Sequence, residues 1–246
     1  MTRRFLVSAL SPVLVAVSIL FTTSPASAGK KNEKAVVDSG SFGVFINGKR
    51  VATETFSIRQ DTDSSTTVSE FKAEDGSSKQ KAELQLSSSG DLQRYTWREL
   101  SPGKAQEIVE PADQFLVEHI TPNPPEKPSE QPFLLPASTL VLDDYFFSHR
   151  QILAWRYLAQ SCGGTIAPNC KLPKADFGVV VPRQRLSSMV SMTYAGKETA
   201  RVHNAERQLH RFDLSSEGQQ WALYLDDQLR VVRIVISSEN TEVVRD

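Results

Sequence analysis

The sequence is poor in the residues that build metal centres and in the motifs that carry catalysis. It contains 4 histidines and 2 cysteines among 246 residues, and none of them has the spacing of a zinc site. No G-x-S-x-G nucleophile elbow, G-x-G-x-x-G fingerprint or P-loop is present. We therefore expect no metal and no cofactor, and the absences argue against an enzyme.

Isolated polar residues give catalysis little support. His149 lies in a predicted helix, where a capped or half-buried polar position explains it better than acid–base chemistry. Asp143-Asp144 are better explained as helix-capping residues, and Asp226-Asp227 as a hairpin turn. We therefore predict a noncatalytic protein.

The chain also lacks an excess of charge of either sign. Its formal net charge is −1 at pH 7, which leaves no basic surface for nucleic acid. After residues 1–28, no apolar run is long enough to span a membrane as a helix. We expect no nucleic-acid partner, and no transmembrane span once that first segment is removed.

Residues 1–28 have the pattern of a secretory signal peptide. Arg3-Arg4 precede an apolar stretch over 5–21, and three small residues at 26–28 form a cleavage site. A membrane anchor is the alternative, which the serines within the apolar stretch disfavour. We expect an exported protein, periplasmic or extracellular.

Cleavage after Ala28 would leave a flexible lead-in over 29–39 and a single domain over 40–246. The only cysteines, Cys162 and Cys170, lie close together in the sequence. In an oxidising compartment such a pair forms a disulfide by default. A redox pair is the alternative, but the spacing is not C-x-x-C.

Alternating apolar and polar residues predict β-strands over most of the domain. Apolar side chains alternate over 42–46, and Asn47-Gly48 is a strong hairpin signal. Further strands follow at short intervals up to residue 120 and again from 175. Consecutive hairpins of this kind form an antiparallel meander.

Two features of the second half refine this prediction. We interpret Ala195-Gly196 as a turn between a strand over 186–194 and another over 198–203. The strands over 221–225 and 229–236 are apolar on both faces. Such strands are covered on both sides, so we expect them at the centre of the sheet.

Residues 140–159, LVLDDYFFSHRQILAWRYLA, predict one helix at about 143–160. Apolar side chains cover most of its girth, which indicates a helix buried on several sides. Asp143 or Asp144 is suited to cap its start, and Gly163-Gly164 to stop it. We expect the sheet to curl around this helix.

Residues 121–136 interrupt the strand pattern with six of the chain's 13 prolines. A segment so rich in proline cannot donate a full hydrogen-bond ladder. It is either a crossover connection to the helix or a lid over a binding site. The triplet Phe133, Leu134 and Leu135 supplies the candidate flap residues.

The opening hairpin 40–56, GSFGVFINGKRVATETF, resembles the start of a group of exported bacterial β-rich domains of unknown function. The stretch 141–147, VLDDYFF, and the closing strands over 221–245 resemble that group too. The resemblance implies a half-barrel of antiparallel strands around a helix, similar to the periplasmic lipoprotein carriers LolA and LolB. This chain departs from those carriers in its internal helix, its proline-rich insert and the absence of a lipid-anchor cysteine.

Taken together, the patterns predict a mainly β (α+β) fold, a curled antiparallel meander around one central helix. The concave face of such a sheet either packs a helix or holds an apolar ligand. Eight aromatic residues are candidates to line it: Tyr95, Trp97, Phe115, Phe146, Phe147, Trp155, Trp221 and Tyr224.

The preferred functional hypothesis is noncatalytic binding of a lipid, an acyl chain or an apolar peptide segment between sheet and helix. The alternative is a structural or interaction protein of the cell envelope with a filled core and a protein partner.

Overall fold

The structure is a computed structural model that describes residues 35–167, 170–216 and 218–246. The predicted signal peptide and most of the lead-in lie outside the described residues. Within these ranges, 15 strands form a single sheet with one α-helix, α1 (Ser148–Cys162). No helix in this described part of the chain is long and apolar enough to cross a membrane.

The strands follow one another at short intervals on both sides of α1. They are β1 (Ala35–Ile46), β2 (Lys49–Gln60), β3 (Ser64–Ala73), β4 (Lys79–Ser87), β5 (Leu92–Ser101), β6 (Gln106–Ala112), β7 (Phe115–Thr121), β8 (Ser129–Phe133), β9 (Leu140–Val141), β10 (Ala175–Val181), β11 (Leu186–Val202), β12 (Ala205–Ser216), β13 (Gln219–Leu225), β14 (Val231–Ile236) and β15 (Thr241–Arg245).

The sheet is built from two meanders that meet in its middle. Strands β1 to β8 run from the centre to one edge, and β9 to β15 run from the other edge back to the centre. There β1 pairs with β15, with Phe42 opposite Arg245. All pairs are antiparallel except β9 with β10. The predicted antiparallel meander is confirmed.

Helix α1 lies against the concave face of the curled sheet, as predicted. Its residues 148–154 are all buried. Gln151 donates to Asp38 of β1 at 2.7 Å and accepts from the Val231 N–H of β14 at 2.7 Å. The ring of Tyr157 contacts Phe212 of β12, with ring centroids 6.0 Å apart. Contacts to strands of both meanders explain why the helix is apolar over most of its girth.

The start of the helix differs from the prediction. It begins at Ser148, with Phe147 as its N-cap and without a capping side chain of its own, so capping by Asp143 or Asp144 is wrong. The buried carboxyl of Glu54 in β2 accepts from the Phe147 N–H at 2.7 Å and from the Ser148 N–H at 3.3 Å. A side chain distant in sequence therefore satisfies the free N–H groups.

The end of the helix matches the prediction. Gly163 takes the left-handed conformation with φ 63°, and its N–H bonds to the carbonyl of Ala159. Glycine is favoured there because it has no side chain to strain that conformation. Cys162, the last residue of the helix, is joined to Cys170 in a disulfide with the Cα atoms 5.8 Å apart. The pairing predicted from their spacing is thus present in the structure.

A long hairpin covers the convex face of the second meander. β11 runs unbroken past the predicted turn, and only a register shift between Tyr194 and Gly196 marks that place. The predicted turn is wrong because Gly196, with φ 109°, forms a bulge instead. The far half of the hairpin joins the convex-face cluster, whose buried members are Ala200, Val202, Leu209, Tyr224, Val232 and Val244. This cluster explains why β13 and β14 have apolar side chains on both faces: one face packs in the main core and the other in this cluster.

The proline-rich segment is partly a strand. β8 forms one edge of the sheet, and Pro132 lies opposite Val117 of β7. An edge strand tolerates proline because one of its sides needs no N–H donor. The predicted interruption of the strand pattern over 121–136 is therefore wrong for residues 129–133. The lead-in prediction is likewise too long, because β1 begins at Ala35.

Candidate functional site

A cleft of about 500 Å³ lies between the concave face of the second meander and the segment 142–147 that leads into α1. Its walls are mainly side chains of β10 to β13, with further residues of β1, β14 and β15. The aliphatic residues that line it include Val44, Val179, Val190, Leu214 and Ile236. The sheet positions them because alternate residues of each strand face the same side.

Aromatic side chains and one cation line the cleft beside the helix. Phe147 and Trp221 both contribute, with ring centroids 6.4 Å apart. The guanidinium carbon of Arg150 lies 4.5 Å from the centroid of the Trp221 ring, a favourable cation–π distance. The cleft thus combines aliphatic and aromatic side chains with one buried cation. Polar residues complete its lining: Asp144, Gln184, Ser188, Ser216, Gln219, Glu239 and Thr241.

The eight aromatic residues predicted to line the concave face lie in different parts of the structure. Phe147 and Trp221 line the cleft. Tyr95, Trp97 and Phe146 are buried in the main core. Their ligand-lining role remains a prediction.

Three candidates lie elsewhere. The indole of Trp155 donates to the Leu229 carbonyl at 2.6 Å. Phe115 alternates with the inward Leu116 of β7 and is only half-buried. Tyr224 belongs to the convex-face cluster, so it cannot line the cleft with Trp221. The two residues are three positions apart in one strand, and an odd spacing places side chains on opposite faces.

The three candidate flap residues also differ in their surroundings. Phe133 is buried in the core, Leu135 packs against it, and Leu134 is 90% exposed. A flap made of all three is therefore wrong, because Phe133 belongs to edge strand β8. The segment that follows β8 is anchored to β5 by a hydrogen bond from the Leu92 N–H to the Ala137 carbonyl at 2.7 Å. It serves as the crossover to β9, the alternative that the sequence left open.

A buried ion pair holds the segment that leads into the helix. Asp143 accepts from Arg183 Nε at 2.6 Å, from a second Arg183 nitrogen and from the hydroxyl of Tyr95. The guanidinium carbon of Arg183 also lies 4.5 Å from the centroid of the Tyr145 ring. A carboxylate with three donors is well compensated for its burial. Asp143 therefore has a structural role in positioning one wall of the cleft.

His149 is fully buried beside this pair. Its Nδ1 accepts from the Asp143 N–H at 3.4 Å, and burial lowers its pKa to about 3. The imidazole is therefore neutral at physiological pH, which agrees with a structural position rather than with acid–base catalysis.

Two further acids face the interior from β6 and β7. Burial raises the pKa of Glu107 to about 7 and that of Glu118 to about 8. Both carboxyl oxygens of Glu118 are buried, and neither has a hydrogen-bond partner among the described residues. Across the described ranges, no group of three or more His, Cys, Asp or Glu residues is arranged to hold a metal ion. We therefore assign no metal site to these acids.

Sequence reasoning missed Arg150, Glu54 and Glu118. Each interrupts an apolar series: Arg150 lies in the apolar helix, Glu54 between inward Ala52 and Phe56, and Glu118 between inward Leu116 and Ile120. The signal that could have revealed them was a charged residue at a position where the strand or helix pattern predicts a side chain facing the core.

The architecture defines a mainly β, barrel-like protein with an open curled sheet and one helix. No family model and no curated protein sequence matches this chain. A similar solved structure is that of a beta-barrel-like protein of domain of unknown function DUF1849 from Brucella abortus. The TM-score is 0.51 at 8% identity, and the match covers 86% of this chain and 97% of that chain.

At this identity the likeness concerns the fold alone. It agrees with the resemblance to β-rich domains of unknown function. The similarity to the lipoprotein carriers LolA and LolB stays a prediction.

Proposed function

We propose that the protein binds an apolar ligand, without chemical change, in the cleft between sheet and helix. The observation that carries this proposal is the cleft itself. Its volume of about 500 Å³ falls within the usual range of small-molecule sites, and such sites are predominantly apolar with few polar groups. A lipid or acyl chain has the shape and polarity that these walls would accept.

A filled-core protein of the cell envelope is the second candidate. Its support is the concave face of the first meander, where Leu84, Tyr95, Val109 and Leu116 are fully buried and belong to one continuous core. In the first function the cleft of the second meander binds a ligand, and in the second it does not. Binding of a small apolar probe there distinguishes them.

We expect Ser188→Trp to weaken binding of the neutral apolar fluorophore Nile red at least tenfold. Ser188 lines the cleft from β11, so an indole there would occupy the volume of the ligand. Ser187→Trp is the matched control, because the next residue of the strand faces the other side and is exposed. Fluorescence titration of both variants and the parent chain measures the effect.

Equal affinity of the two tryptophan variants would contradict the location of the site. A parent chain that binds no Nile red and retains no lipid on organic extraction would reject ligand binding and favour the filled-core protein.

We further propose that the protein acts after export. The support is the signal-peptide pattern of residues 1–28 and the Cys162–Cys170 disulfide, a bond that persists in oxidising compartments. We expect mass spectrometry of the chain from its native compartment to give a mass that begins at Gly29, with the disulfide intact. A full-length, reduced chain in the cytosol would contradict export.

A further inference from the structure

The guanidinium of Arg150 is a buried cation at the edge of the cleft. Only 4% of the residue is exposed. One terminal nitrogen donates to the carbonyls of Asp143 and Phe146, whereas Nε has no hydrogen-bond partner among the described residues. Within that part of the chain, Nε is therefore a buried donor without an acceptor.

Within the described chain, no carboxylate lies within 4.0 Å of the Arg150 nitrogens as an ion-pair partner. The nearby acids have other partners. Asp143 pairs with Arg183, and Glu54 accepts the N–H groups at the start of the helix. Burial also raises the pKa of Glu54 to about 7, so its negative charge is only partial near neutral pH.

Two other acids line the cleft, and both have a donor. Asp144 accepts from Gln184, and Glu239 accepts from Gln219 at 3.1 Å. Glu239 is exposed at the rim, where solvent screens its charge. Both donors are neutral amides, so both carboxylates keep their charge, and the charge of Asp144 acts on Arg150 through space. Arg150 is the one buried cation among the lining residues.

We infer that the occupant is an amphiphile whose apolar chain ends in a single carboxylate, such as a long-chain fatty acid, with its head group at Arg150. This inference rests on the proposed function and specifies its ligand. A buried cation without an ion-pair partner is unfavourable, and a carboxylate bound against the guanidinium from the cleft would compensate it. The aliphatic residues Val179, Val190 and Leu214 would contact the chain.

The test compares oleate with oleyl alcohol, which has the same chain and no charge. Both compete with Nile red for the mature protein at pH 7. We expect oleate to bind at least tenfold more tightly than the alcohol. We expect Arg150→Met to abolish this preference and Arg150→Lys, which keeps the charge, to retain part of it.

Arg233→Met is the matched control. Arg233 also lies over an aromatic ring, 5.5 Å from the centroid of Tyr224, and Tyr224 belongs to the convex-face cluster. Its ion-pair partner is Glu242 at 2.6 Å. The oleate preference should survive in this variant.

Equal binding of oleate and oleyl alcohol to the parent chain would overturn the carboxylate site and leave the apolar cleft intact. That comparison needs no variant to fold. Tighter binding of oleyl phosphate than of oleate would overturn the assignment of a carboxylate in favour of a phosphate head group. Failure of every probe, Nile red included, would reject the proposed function itself.

Discussion

We expect Asp143→Ala to lower the free energy of unfolding by about 3–5 kcal/mol, the usual cost of breaking a buried ion pair. Asp143 is fully buried, and it is the ion-pair partner of Arg183, whose side chain is only 12% exposed. The variant leaves this guanidinium without its carboxylate, and it removes the acceptor of the Tyr95 hydroxyl. Urea denaturation at pH 7 measures the loss.

Two variants make this result specific. Asp227→Ala breaks the Lys197–Asp227 pair, in which the Asp227 side chain is 75% exposed, and should cost much less because solvent screens an exposed pair. Adding Arg183→Met to Asp143→Ala removes the uncompensated charge and should recover part of the stability. A cost for Asp143→Ala no larger than that of the surface control would contradict the structural role of the pair.

We expect Glu118→Gln to be about 2–4 kcal/mol more stable than the parent chain at pH 9, and nearly equal to it at pH 5. Burial, reinforced by the nearby charge of Glu107, raises the pKa of Glu118 to about 8. The folded state therefore holds a proton that the unfolded state releases above about pH 4.3. This contribution to stability is complete below about pH 4.3. It falls as the pH rises above that value and is fully lost above about pH 8.

Glutamine imitates the protonated carboxyl at every pH, so the variant should lack this part of the pH dependence. Urea denaturation at several values between pH 5 and pH 9 gives the slopes. Glu126→Gln, the same change at an exposed position, should leave the slope unchanged. Parallel slopes for Glu118→Gln and the parent chain would show that Glu118 is not held neutral by the fold.

Local features of the fold were predictable from the sequence. The Asn47-Gly48 hairpin depends on two adjacent residues that tolerate positive φ, and both adopt it. The end of the helix at Gly163 depends on one glycine. The start of the helix was not predictable in this way, because its capping group, Glu54, is distant in sequence and comes close only when β2 packs against the helix.

The site was harder to predict from the sequence, for the same reason. Trp221 and Phe147 were found as aromatic residues. The face of a strand side chain depends on its position in the strand, which places Tyr224 on the convex side, away from Trp221. A bulge at Gly196 carries the hairpin across that side, and the sequence alone did not distinguish it from a turn. The free donor of Arg150 emerges only from the complete set of its neighbours, so residue type and spacing could not reveal it.

The pairing of β1 with β15 bears on how the molecule gains and loses its structure. Every other antiparallel pair joins consecutive strands, whereas this one brings Phe42 beside Arg245. The entropy lost on closing a loop grows with its length, so this contact is the costliest to form. Each meander is built from local contacts, and the β1–β15 contact, together with the helix packed against both halves, couples their unfolding.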